Sequence, residues 1–221
     1  MRRIAAILGL FPLQRAGPCP ALQRVVSYSS GMTPSAANAR YTWDDFIALD
    51  DDDRRELIDG ELVEIEVPTF THEEIVAGFA YFLRAWAEAG HGGRVLASGY
   101  KIRISDRRGL MPDVQFYRRE NTSPAGQEQG LVRGRADLVV EIISPSSRRY
   151  DRVKKLHWYA QVGVPEYWIV DPYARTFERL VLRGETYAIA ASLEDGETFR
   201  PESFDGLEIP LVKIWGEAEL T

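Results

Sequence analysis

Cysteine is almost missing from this chain. Cys19 is the single one in 221 residues, which rules out an internal disulfide framework and fits a reducing compartment. Long apolar runs are missing too. None approaches the roughly 20 residues of a bilayer-spanning helix, so the expectation is a cytoplasmic protein with no membrane partner. There is no CxxC or HxxxH pair, no GxGxxG and no Walker-type loop, which removes common signatures of zinc, dinucleotide and P-loop nucleotide sites. Internal repeats are likewise absent.

Acids are lacking at one end only. Residues 1–40 hold five arginines and four prolines but no Asp or Glu. Arg2-Arg3 ahead of the apolar run 4–10 has the look of a targeting segment, but Pro12 and Arg15 cut the run short and no small-residue cleavage site follows. The expectation is a start extended beyond the true initiator Met32, with a short disordered lead, and a transit or signal role as the alternative. In both cases the fold occupies 41–221. From residue 41 on, 22 basic side chains face 33 acidic ones, a net of −11. So acidic a body argues against broad adhesion to nucleic acid and leaves room only for a local basic groove.

At 45% apolar and 27% charged, the composition is that of a globular protein, and the length suits one domain with a full core. Thr42-Trp43-Asp44-Asp45 has the form of a capping box, opening a short helix with Trp43, Phe46 and Leu49 on one side. The Asp50–Asp53 run behind it reads as a solvated loop. Asp59-Gly60 between alternating flanks predicts a hairpin with a tight primed turn, and the two-residue period puts Glu56 on the side of Ile58, pointing inward. Thr71-His72-Glu73-Glu74 reads as a second capping box. It opens a helix with Ile75, Phe79, Phe82, Leu83 and Trp86 at helical spacing, stopped by Gly90–Gly93. His72, in its first turn, reads as a cap or surface group. Asn121–Arg135 reads as a polar, mobile loop. From about Ser147 to Gln161 the spacing predicts a helix with Tyr150, Val153, Leu156 and Ala160 toward the core, and Asp151, Lys155 and Tyr159 on a neighbouring stripe. Tyr167–Pro172 is a buried strand. Segments 176–182, 186–191 and 207–210 read as an antiparallel C-terminal meander covering one side.

The chemistry concentrates between 111 and 155. Met111–Tyr117 reads as a strand carrying Asp113, and Ala136–Ile143 as an apolar central strand with Asp137 and Glu141 on one face. Carboxylates inside apolar strands are costly unless a metal ion or a paired cation offsets them. Two such acids from adjacent strands with a lysine nearby suit metal-dependent phosphodiester cleavage. Hard cations such as Mg²⁺ prefer oxygen ligands and often use only one or two carboxylates. A plain surface ladder of acids is the competing reading of the same spacing.

Five blocks carry a family resemblance: Glu56–Val63, Pro112-Asp113-Val114, Asp137–Ser146, Asp151-x-x-x-Lys155 and Tyr159–Pro172. They resemble the Uma-two family, restriction-endonuclease-like proteins of the PD-(D/E)XK nuclease superfamily, over roughly residues 41–215. The resemblance implies a three-layer α/β sandwich with a central mixed β-sheet flanked by helices. It implies one Mg²⁺ or Mn²⁺ site held by Asp113 and Glu141, and a catalytic lysine. The superfamily places that lysine two positions after the second acid, where this chain has Ile143, and the family places it on the following helix, which matches Lys155. Lys154 is the competitor. Glu56 matches an early glutamate that holds a metal-bound water or a second ion. Ala136 stands where the family usually has proline. The implied activity is endonucleolytic cleavage of DNA, with RNA or branched DNA left open and a homodimer expected by analogy. The alternative is an inactive nucleic-acid- or protein-binding module that keeps the fold. Arg133 and Arg135 in the 121–135 loop are candidates for backbone contact.

Overall fold

Local chemistry sets the first elements. The computed structural model describes residues 40–50, 52–97, 99–121, 127–128, 131–132 and 135–215. The extension before Arg40 and Arg133 with most of its loop lie outside the described residues. Helix α1 (Trp43–Ile47) starts at the expected capping box, with Thr42 and Asp45 bonded reciprocally. Strands β1 (Arg55–Ile58) and β2 (Glu61–Glu64) form the hairpin. Asp59 and Gly60 adopt φ of 53° and 88°, the pair of positive angles a primed turn requires. Helix α2 (Phe70–Trp86) begins before the predicted box: Thr69 is the N-cap, and its hydroxyl accepts from the His72 N–H at 3.2 Å. Thr69 wins over Thr71 because its extended backbone (φ −80°, ψ 165°) aims the oxygen at a free first-turn donor.

The chain then alternates between two sheets. Strands β3 (Arg94–Ala97), β4 (Ile102–Ser105), β5 (Arg108–Leu110) and β6 (Val114–Tyr117) lead to a small hairpin of β7 (Gln127–Glu128) and β8 (Leu131–Val132). Strand β9 (Leu138–Ile142) follows, then helix α3 (Leu156–Gln161), β10 (Glu166–Asp171), β11 (Thr176–Arg183) and β12 (Thr186–Glu194). A last two-stranded piece joins β13 (Thr198–Phe199) to β14 (Ile209–Pro210). The main sheet has the order β12-β11-β10-β9-β6-β3, and the second has β2-β1-β5-β4. In the main sheet only β9 and β10 run parallel, joined by the crossover that contains α3.

Strand alternation distributes the main core between two faces. Leu138, Val140, Ile142, Trp168 and Val170 pack on Ile75, Phe79 and Leu83 of α2. Val139, Ile143, Tyr167 and Ile169 pack on Trp158 and Tyr159 of α3. The result is the expected three-layer α/β sandwich around a mixed sheet. The meander strands β11 and β12 join this sheet at its edge rather than covering it. The cover over the α2 face comes from the apolar residues of 199–215. A third core, Trp43, Phe46, Leu57 and Met111, seats α1 on the second sheet.

The segment before α3 departs from expectation. Tyr150–Lys155 winds as a π-helical turn leading directly into α3, so its faces do not follow the 3.6-residue period. Val153, assigned to the core from its spacing, is 59% exposed, whereas Asp151 and Lys155 are buried. Among the described residues no helix is long and apolar enough to cross a membrane.

Candidate active site

Glu141 stands in β9, every residue of which is buried, on the face shared by Val139 and Ile143. Strand β6 pairs antiparallel with β9 with Val114 opposite Val140, so one further step along the strands brings Asp113 level with Glu141. Asp113 lies just past the ladder, and its Oδ2 accepts the Ile142 N–H at 2.7 Å. Lys155 reaches in from the π-helical turn. Its Nζ is 3.0 Å from Glu141 Oε2, 3.2 Å from Asp151 Oδ1 and 3.7 Å from Glu56 Oε1. Glu56 arrives from the second sheet, where Oε1 accepts the Met111 N–H at 2.9 Å and Oε2 the Tyr150 hydroxyl at 3.0 Å. The Tyr159 hydroxyl donates to Glu141 Oε1 at 2.6 Å. Asp113, Glu141, Lys155 and Glu56 are thus brought together. Lys154 is exposed, and Ile143 is packed in the apolar core.

Three neighbours of this cluster were not singled out from the sequence as site residues. Asp151 follows from the i, i+4 spacing to Lys155, but its burial does not. Tyr159 completes the same stripe. His72 is the third: its Nε2 lies 3.2 Å from Asp113 Oδ1, a contact between positions 41 residues apart that no local pattern encodes. Asp137 is occupied elsewhere, accepting from the Arg118 N–H and the Asn121 amide. Arg135 precedes β9 at the end away from Glu141. It lines a 640 Å³ surface groove with His157, Gln161, Gly163 and Glu185, apart from the acid cluster.

Burial decides the electrostatics. Glu56, Glu141 and Asp151 are 2–3% exposed and Lys155 is 7% exposed, so water does little to solvate them and they must offset one another. Burial pushes the Glu141 carboxyl well above the usual carboxylate range. Lys155 opposes that shift, while Asp113, Asp151 and Glu56 add to it. Burial alone would depress Lys155, but Glu141, Glu56 and Asp151 together hold its ammonium well above its ordinary value. Burial and the Glu141 charge likewise push the Tyr159 phenol up, keeping it a proton donor.

Three carboxylates around one ammonium, with Asp113 acting on Glu141 besides, leave a surplus of negative charge. Among the described residues no three His, Cys, Asp or Glu side chains form a ready metal cage. A hard divalent cation does not need one, since it keeps several waters and binds through one or two carboxylates. Asp113, which retains 20% side-chain exposure, and Glu141 meet that requirement with oxygen ligands, and a cation there would relieve the surplus.

Comparison with known proteins bears on this arrangement. The Uma2 family, described as "Putative restriction endonuclease", matches residues 43–212. Among solved structures, one similar chain is the crystal structure of a "putative nuclease" of DUF820 from Anabaena variabilis. It superposes with a TM-score of 0.65 at 16% identity, covering 79% of this chain and 97% of that one, a likeness of fold. No curated protein matches. The family match spans all the residues gathered around Lys155, and the chain belongs to the Uma2 family of restriction-endonuclease-like nucleases.

Proposed function

We propose that this protein is a Mg²⁺- or Mn²⁺-dependent endonuclease that hydrolyses phosphodiester bonds of DNA. The observation that carries the reading is the Lys155 ammonium 3.0 Å from Glu141, among the carboxylates of Glu141, Asp151 and Glu56, with Asp113 beside Glu141 across the strand pair. Asp113 and Glu141 would hold the cation. Bound there, it would supply charge stabilisation for the phosphate and a more acidic water. Lys155 orients the attacking water and offsets negative charge developing on the phosphate. Tyr159 keeps Glu141 aimed by occupying its second oxygen. Glu56, held by the Met111 N–H and the Tyr150 hydroxyl, keeps Lys155 charged and directed inward. A homodimer would present two such sites to the two strands of a duplex.

The test is cleavage of plasmid and linear DNA by the purified full chain with Mg²⁺ or Mn²⁺. Asp113→Ala and Glu141→Ala each should abolish cleavage, and Lys155→Ala should lower it by about two orders of magnitude or more. Undiminished cleavage in both acid variants would remove the proposed site. A second reading, an inactive binding module, is favoured by Lys155 being already engaged by three carboxylates. Calorimetry separates the two, because the module predicts no heat with millimolar Mn²⁺ from a folded chain.

A further inference from the structure

His72 has no part in the roles given so far, yet its placement is specific. The ring stands in the first turn of α2, whose start is pinned by the Thr69 cap and whose next turns are anchored by Ile75 and Phe79, both fully buried. Nε2 lies 3.2 Å from Asp113 Oδ1, and Nδ1 is buried without a hydrogen-bond partner. Asp113 itself belongs to the segment between β5 and β6, past the last ladder pair, where no strand hydrogen bond orients it. A carboxylate there can turn about its last torsion. The Ile142 N–H takes one oxygen and the imidazole the other, so the group is clamped at both ends between β9 and α2.

We infer that His72 is a positioning residue, which locks the Asp113 carboxylate so that its remaining lone pairs face the Glu141 side, where a divalent cation binds. The inference rests on the reading of Asp113 and Glu141 as the cation's ligands. An oxygen held by one donor still has a second lone pair to offer, so the clamp and the cation do not compete. Hydrogen-bond partners of ligating groups typically contribute about 10–100-fold to metal affinity.

Side-chain length provides the test. The amide nitrogen of glutamine lies as many bonds from Cα as Nε2 of histidine, whereas that of asparagine is one bond short. Mn²⁺ affinity of the metal-free full chain is measured by calorimetry for wild type, His72→Gln, His72→Asn and Asp113→Asn, with melting curves for each. His72→Asn should bind about 10–100-fold more weakly, with His72→Gln within a few-fold of wild type and both melting alike. His72→Ala replaces the asparagine variant if that fails to fold. Wild-type affinity in the shortened variant, or equal weakening by Gln and Asn, would overturn the positioning role. No binding by wild type, or unchanged binding in Asp113→Asn, would overturn the cation reading instead.

Discussion

Glu141 shows what burying a carboxylate costs at the scale of one residue. Its carboxyl is buried among Asp113, Asp151 and Glu56, with one ammonium to oppose them. Because its folded-state pKa is raised, the folded chain holds that proton more tightly than the unfolded one. The associated stability is present in acid and is lost as pH rises from the ordinary glutamate range through the raised value. Glu141→Gln, which keeps the shape and removes the charge, is therefore expected to melt above wild type in chelator. The gap should be on the order of 1 kcal/mol or more, about 2–4 °C per kcal/mol in a chain of this size, and should widen as pH rises above the ordinary glutamate range. A gap that stays flat with pH would show that this carboxyl does not titrate as a buried group. At the same scale, Gly109 is required by contact. A Cβ there would lie 2.6 Å from the Phe46 ring and 2.9 Å from that of Trp43. Gly109→Ala should cost about 1–3 kcal/mol through overpacking of the third core, read as a lowered melting temperature.

Among the elements, those with one strong local signal were legible in the sequence. The Asp59-Gly60 hairpin, the Thr42 capping box and α2 each combine a turn or cap residue with a clear period, and each forms close to where it was expected. The apolar run of β9 marks a central strand covered on both faces, whereas the three-layer order is what the family resemblance implies. The crossover before α3 departs from the 3.6-residue period that its apolar spacing suggests. The π-helical winding of Tyr150–Lys155 turns Val153 outward and the Asp151–Lys155 pair inward, where Glu141 and Glu56 outweigh the preference of valine for burial. Within the site, Asp113, Glu141, Lys155 and Glu56 were assigned from family motifs. His72 and the burial of Asp151 depend on contacts between elements distant in sequence. The winding itself can be tested. Deleting Val153 would remove one residue from the wide turn and let the segment relax to an α-helix, changing Asp151 and Lys155 from i, i+4 to i, i+3 neighbours. The expected outcome is a folded protein that has lost DNA cleavage. Wild-type activity would show that the π-helical turn does not place the cluster.

At the scale of the whole molecule, charge works against the proposed substrate. The net of −11 beyond residue 40 and the carboxylate cluster both repel a phosphodiester backbone. DNA affinity should therefore depend on divalent cations, rising with Ca²⁺ or Mg²⁺ over chelator and falling steeply with added salt. Fluorescence anisotropy with a labelled duplex measures both, and binding that is indifferent to the cation would contradict a site between Asp113 and Glu141. The same cluster draws on both sheets, since Glu56 comes from β1, Glu141 from β9 and Lys155 from the crossover. None of the three elements can assemble it alone. A chain part-way through synthesis, with residues 56, 72, 113 and 141 already made but 151 and 155 still to come, has no ammonium to hold its acids together. Completion of the fold is thus itself a licence for the proposed chemistry, and loosening of the small sheet would withdraw Glu56 from the cluster.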